Sequence, residues 1–334
     1  MLSRIATRFG AVLVAIILIG GLGSQAAAEK IIRFGFSDGL DTPHGQTMQI
    51  FEKHVEKGSN GEIQVQLFPG LQLGPVVEEL EGVKLGTQEM FLSTPAWFSR
   101  FDSRVDVLSL PFLATNWEEA ERILSSDVLR QLADQAEEAS GIKILGITPL
   151  GFRNMMNKVR PIEQVEDFSD IKIRVQNSPV YLSMFRALGA NPVALDAGEI
   201  YQAVESGVVD GLETTLPIML SSKFYQVAPK ISQTRHTFEV LLIYMNPDFY
   251  NTLTPEEQAV VDGAMRAAET ASLVIVKTAE EQAIRGLVAA GAQVNEVSDA
   301  AIKDLQSRMQ PLYEEFGPKF GGTLEKLRSV TAGE

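Results

Sequence analysis

The chain has no cysteine, and only three histidines and two tryptophans among its 334 residues. Without a thiol there is no disulfide, no thiolate nucleophile and no lipid anchor carried on a modified cysteine. The histidines, His44, His54 and His236, fall in no H-x-x-x-H pattern, which argues against a histidine-built metal site. G-x-S-x-G occurs once, as Gly35-Phe36-Ser37-Asp38-Gly39, and no S-x-x-K stands with its usual partners. Isolated glycine turns such as LQLG and FGG do not amount to a G-x-G-x-x-G or a P-loop that would hold a nucleotide. Basic residues are also few: 29 Lys and Arg stand against 43 Asp and Glu, a net charge of −14. Phosphate backbones and anionic lipid surfaces repel such a chain, which excludes nucleic acid and peripheral membrane binding as leading readings. Beyond the first two dozen residues, no apolar run approaches the roughly 20 residues needed to cross a bilayer. No internal repeat or low-complexity segment is visible.

The N-terminus is patterned differently. Arg4 and Arg8 precede an apolar stretch from about Phe9 to Leu22, and GSQAAA follows before Glu29. This reads as a secretory signal peptide over 1–28, cleaved after Ala28, and implies a free periplasmic product; an uncleaved anchor is the alternative. Removing residues 1–28 takes away two arginines and no acid, so the remaining 306 residues carry −16. That length suggests about two domains.

The mature chain alternates strand-like and helix-like segments, the pattern of an α/β fold with largely parallel sheets. Ile31 to Phe36 reads as a strand, and Asp41 or Thr42 caps a helix with Pro43 in its first turn. Ile63, Val65 and Leu67 alternate with glutamines, Gly74-Pro75 starts a helix, and strands follow at Gln88 to Leu92 and Ile142 to Thr148. Ser178-Pro179 opens a helix ending near Gly189. Thr254-Pro-Glu-Glu257 is a capping box with Pro at the first helical position, followed by helix-favouring sequence to about Ala290. At about 1.5 Å per residue this run spans about 50 Å, longer than one domain is wide. The acidic pairs Glu78-Glu79 and Glu118-Glu119 read as solvated helix faces.

The segment from Asp170 to Glu213 carries the chemistry: DIKIRVQNSP, then LGANPVAL, then EIYQAVESGVVDGLE. Arg174 sits inside the alternating apolar run Ile171, Ile173, Val175, so a buried or half-buried strand holds a guanidinium. Such a group needs an anion, either an internal acid or a ligand carboxylate, which its planar fork of donors suits. GFRNMMNKVRPI upstream supplies a second cation, Arg153, placed after the strand ending at Thr148.

The ordered set RNMMNKVRPI, DIKIRV, LGANPVAL and EIYQAVESGVVDGLE resembles the periplasmic solute-binding proteins of tripartite ATP-independent (TRAP) transporters, the DctP-type family. GEIQVQLFPGLQLG at 61–74, LSLPFL at 108–113 and YMNPDFY at 244–250 extend the resemblance over nearly the whole mature chain. It implies a two-lobed α/β periplasmic binding fold, type II-like, with a long helix spanning both lobes. On that pattern 29–151 plus 240–279 form lobe one, and 152–239 plus 280–334 form lobe two. The ligand lies in the cleft between them.

The resemblance also implies roles. Arg174 in its K-x-R-V run pairs two-pronged with a ligand carboxylate, and Arg153 in its G-x-R run adds to the clamp. The family's Asn in V-D-G-x-E-N falls here on Thr214, after Glu213; threonine still donates a hydrogen bond but has no amide. Ser37 and Asp38 occupy the place of a wall that touches the ligand's polar end, with His44 in the following loop. Thr94 and Trp97 line the opposite wall, the indole either stacking on ligand or packing in the core. Asp196 either accepts from ligand hydroxyls or caps the helix EIYQAVES. With Asp38 and Asp196 in the site, a hydroxylated acid such as a sugar acid is expected rather than a plain dicarboxylate. The implied function is capture of an organic acid anion for a permease of one small and one large membrane subunit, by a monomer with no cofactor, no metal and no catalytic residue. The alternatives on the same scaffold are a periplasmic enzyme acting on a carboxylate, and an ABC-type or receptor-coupled binding protein.

Overall fold

The structure, a computed structural model, describes residues 30–333; the segment read as a signal peptide lies outside them. In chain order the first half contains β1 (Lys30–Gly35), α1 (Pro43–Gly58), β2 (Ile63–Phe68), α2 (Val76–Leu85), β3 (Met90–Ser93), α3 (Pro95–Phe98), α4 (Trp117–Ser125), α5 (Asp127–Ser140) and β4 (Lys143–Asn157). Then follow β5 (Lys172–Val175), α6 (Pro179–Ala187), β6 (Asn191–Ala194), α7 (Ile200–Glu205), β7 (Gly211–Thr215), α8 (Leu216–Ser221) and β8 (Lys230–Met245). The chain ends with α9 (Pro247–Thr252), α10 (Pro255–Ala289), β9 (Gln293–Glu296), α11 (Asp299–Phe316) and α12 (Thr323–Ala332). Among the described residues no helix is long and apolar enough to cross a membrane.

The helix signals hold because each end solves the problem of unpaired backbone groups. Thr42, not Asp41, caps α1, its hydroxyl accepting from Gly45 N at 3.1 Å. Thr254 and Glu257 form the reciprocal capping box of α10, which runs unbroken for 35 residues. Gly86 and Gly141 take the left-handed conformation that ends α2 and α5.

One sheet threads the molecule in the order β2-β1-β3-β8-β4-β7-β5-β6, with β9 on β8. The outer pairs are parallel, as the alternation of strands and helices predicts. The centre is not: β3–β8, β4–β8 and β4–β7 are antiparallel. The reason is the length of β4 and β8, which cross between the two halves side by side. The sequence reading ended a strand at Thr148, but β4 continues through GFRNMMN, so Arg153 lies within a strand rather than after one. Gly151, at φ 112°, lets the strand bend there, at a register shift against β8.

Separate cores fill the sheet faces. Phe34, Phe51, Met90 and Ile243 form one with Val261, Ala264 and Met265 of α10. Val204, Leu212, Met219 and Ile231 form another with Ala283 and Leu287 of the same helix. The two ends of α10 thus belong to different halves, and the sheet joins them across its other face through Phe91, Phe98, Phe152, Ile173 and Phe185. The C-terminal α12 returns to pack on α4 and α5.

Glu79 departs from the expectation of a solvated acidic face: it is buried in α2. Its carboxyl lies against Gly35, where any Cβ would meet Oε2 at 1.7 Å, and it accepts from Gln88 Nε2 at 2.9 Å. Burial pushes it up to about 7. The folded chain then keeps a proton up to about pH 7 that the unfolded chain releases near its ordinary 4.5, so stability falls as pH rises through that interval. Glu79→Gln keeps the contact without the charge. In urea titrations it should match the parent at pH 5 and exceed it at pH 8; an equal gap at both values would show that Glu79 does not titrate in the folded chain.

Candidate ligand-binding cleft

A cleft with a cavity of about 110 Å³ opens between the two halves. One wall comes from the turn after β1 (Ser37, Asp38) and from the end of β3 and α3 (Ser93, Thr94, Trp97). The facing wall comes from β4 (Arg153), β5 and the residue after it (Arg174, Gln176), and β7 (Thr214). The apolar side chains of Phe91, Leu150, Ile200 and Phe224 complete it. Ser37, Asp38, Thr94 and Gln176 stand just past strand ends, where backbone pairing stops, while Arg153, Arg174 and Thr214 project from paired positions within strands.

The two arginines, equal in sequence, are unequal in space. Arg153 is saturated: Nε and Nη2 form a fork with the Glu213 carboxylate, Nη2 also donates to the Glu213 carbonyl at 2.7 Å, and Nη1 donates to Glu239 Oε2 at 2.7 Å. Burial opposes its charge, but Glu213 and Glu239 outweigh that and hold its pKa well above the ordinary value. Burial likewise pushes Glu213 up, and Arg153 with His236 more than reverses it. Arg174 has no such partner. Its Nε and Nη2 donate to the Leu195 carbonyl at 3.0 and 2.8 Å, and among the described residues Nη1 has no hydrogen-bond partner. No described carboxylate lies within 4.0 Å of it. Burial lowers it to about 10, so it stays charged at neutral pH.

His236 is brought to this cluster by a bulge. Between the pairings Arg153↔Thr237 and Met155↔Ser232, β8 carries extra residues that include Arg235 at φ 44°. Asn154 Oδ1 accepts from the Arg235 amide at 3.0 Å and satisfies the displaced backbone. The His236 ring then lies between Thr234 Oγ1 at 2.8 Å and Glu213 Oε2 at 3.4 Å. Burial lowers its pKa, and Glu213 only partly offsets this.

On the facing wall, Asp38 is pushed up to about 6 by burial, with the distant Arg153 pulling the other way. His44 stands behind it, Nε2 3.9 Å from Asp38 Oδ2, buried and lowered to about 4, hence neutral. A bond crosses the gap: Thr94 Oγ1 donates to Gln176 Oε1, while Gln176 Nε2 donates to Glu239 at 3.0 Å.

Of the ten residues singled out in the sequence, Arg174, Arg153, Thr214, Ser37, Asp38, Thr94 and Trp97 line the cavity. Glu213 does not; it is wholly buried behind Arg153. His44 lies behind Asp38 and does not line the cavity. Asp196 takes the capping alternative: its carboxylate accepts from Gly198 N at 3.1 Å and its amide donates to Glu199, capping the short turn that leads into α7. Gln176 and Glu239 were missed. A signal existed for each: Gln176 is two residues from Arg174 and so shares its strand face, and Glu239 is the one charge in the run TFEVLLIYM.

Two α/β halves on shared crossing strands, with a polar cavity between them, define a two-lobed solute-binding protein. The chain belongs to the bacterial extracellular solute-binding protein family 7 (DctP), whose sequence pattern matches residues 34–319, and so to the periplasmic solute-binding proteins of TRAP transporters. It resembles the sugar acid binding protein DctPAm of Advenella mimigardefordensis strain DPN7T, solved with galactonate: 28% identity, TM-score 0.88, 91% of this chain and 98% of that one. A TRAP solute-binding protein from Polaromonas sp. JS666, bound to D-erythronate, is also 28% identical, with a TM-score of 0.87 over 90% of this chain and 99% of that one. The C4-dicarboxylate-binding periplasmic protein DctP of Rhodobacter capsulatus is 28% identical over 327 residues, covering 97% of this chain and 98% of its own.

The unequal arginines differ in what their loss does to folding. Glu213→Gln strips a full charge from a buried pair and should cost about 3–5 kcal/mol. Arg174→Gln removes a buried cation that has no described carboxylate within 4.0 Å, and should change stability by about 1 kcal/mol at most. Urea unfolding of both variants without added acid checks this; the reverse order would mean that Arg174, not Arg153, is the structural cation.

Proposed function

We propose that this protein captures a hydroxylated monocarboxylate, of the sugar acid type, in the periplasm and delivers it to a TRAP permease of one small and one large membrane subunit. The observation that carries the reading is Arg174: a buried guanidinium that lines the cleft and, among the described residues, has no carboxylate within 4.0 Å and no hydrogen-bond partner for Nη1. A ligand carboxylate supplies the missing anion by a charge-assisted fork. Arg153 adds positive potential but few donors, since its own are engaged. Asp38 on the far wall disfavours a second carboxylate there and accepts from hydroxyls, which favours sugar acids over C4-dicarboxylates. Relatives that bind galactonate and D-erythronate support this choice.

In this reading 29–151 with 240–279 form lobe one and 152–239 with 280–334 form lobe two; α12, which packs on α4 and α5, ties the chain end back to the first lobe. The product is a monomer, cut after Ala28, and needs no metal, cofactor or catalytic group. Ligand touching Arg174 on one wall and Asp38 on the other binds the closed arrangement better than the open one, which shifts the population toward closure.

Arg174→Lys keeps the charge and loses the fork. Calorimetry with D-galactonate and D-erythronate should show affinity falling about ten- to several-hundredfold, or one to a few kcal/mol; unchanged affinity in a folded variant would remove Arg174 from the site. Small-angle scattering should show the radius of gyration shrinking on saturation with the acid that binds. In a Trp117→Phe background the remaining indole, Trp97, should report the same event by fluorescence. A radius that stays fixed at saturation rules out closure.

A further inference from the structure

Gln176 lies two residues beyond Arg174 on the same strand face and lines the cavity, and its neighbours fix the orientation of its carboxamide. Carboxamide orientation is commonly ambiguous, because oxygen and nitrogen differ little in density. Here the neighbours decide it. Ionised Glu239 can only accept hydrogen bonds. Its two oxygens stand 3.0 and 3.3 Å from one terminal atom of Gln176, which must therefore be the nitrogen. Glu239 is itself held by Arg153 Nη1, and Arg153 by Glu213, so the anchor does not rotate. Gln176 Oε1 consequently faces the other way, where it accepts from Thr94 Oγ1 and keeps a second lone pair.

We propose that Gln176 is a specificity residue, its carbonyl oxygen selecting acids that carry a hydroxyl close to the carboxylate and rejecting acids that lack that donor or bring an acceptor to the same place. The proposal rests on the reading that the cavity binds an organic acid with its carboxylate on Arg174. Positions two apart on a strand are separated by about 6.5 Å, comparable to the reach from a guanidinium, across the carboxylate it holds, to substituents on the next one or two carbons. A hydroxyl there donates to Oε1. A second carboxylate sets lone pairs against lone pairs, and a methylene leaves a buried acceptor short of a partner. Asp38 across the cavity is also an acceptor, so the wall opposite the arginines is built to receive donors.

The test uses three acids of four carbons: D-erythronate, 3,4-dihydroxybutanoate, which lacks only the 2-hydroxyl, and succinate. Calorimetry is run on the mature protein and on Gln176→Met at pH 8, where Glu239, raised to about 6, is ionised. The parent should prefer erythronate over 3,4-dihydroxybutanoate by about a hundredfold or more, as sites built around a hydroxyl do. Gln176→Met should reduce that ratio below about tenfold. A residue that merely braces Glu239 would weaken all three acids alike and leave the ratio intact, and that result overturns the proposal. The parent ratio decides the matter even if Gln176→Met fails to fold: a value near one overturns it. Tight binding of succinate alone would overturn this inference and the sugar acid assignment, leaving the Arg174 clamp standing. Binding of none of the acids would remove the organic acid reading and this inference with it.

Discussion

The site depends on a buried charge cluster that is complete without ligand. Arg153 binds Glu213 and Glu239 at once, joining β4, β7 and β8 where the two long strands cross. Burying three charges costs desolvation that only close pairing offsets, so this contact is weak evidence for stability and stronger evidence for geometry. It fixes the carboxylates in place, and through Glu239 it fixes Gln176. It also leaves Arg174 as the cation still lacking an anion.

The same crossing strands explain how a rigid cluster coexists with a cleft. β4 and β8 run through both halves as an antiparallel pair, and α10 places its two ends in separate cores. Three continuous elements hold the halves together, so relative motion must come from bending within them. Gly151 on β4 adopts a backbone angle that side chains resist, and an added Cβ would come within 3.4 Å of Val276 on α10. The bulge at Arg235 gives β8 a matching irregularity. Flexure and the charge cluster thus occupy adjacent stretches of the same strands.

Proteins of this fold are described with ligands as different as galactonate and a C4-dicarboxylate at comparable distance from this chain. The fold fixes where a carboxylate goes; the other walls fix what may be attached to it. In this chain those walls present acceptors, Asp38 and Gln176, together with hydroxyls from Ser37 and Thr214 that can serve either way. The difference between a sugar acid and a dicarboxylate receptor is then a count of donors and acceptors within a few ångströms of Arg174.

The sequence alone determined the local elements and the family. Capping at Thr254 and the period-two runs around Val65 and Arg174 are set by neighbours a few residues away, so they survive in a linear reading. The ordered motifs from Arg153 to Glu213 likewise identified the lineage and seven residues that line the cavity. What the tertiary structure decided is which charge answers which. Arg153 and Arg174 look alike in sequence, and only the return of β8, 86 residues beyond Arg153, brings Glu239 to one and not the other. Asp196 became a cap, Glu79 a buried acid, and Gln176 a directed acceptor for the same reason. Hydrogen bonding and ion pairing act over about 3 Å in space, and the fold, not the spacing along the chain, sets which groups come that close.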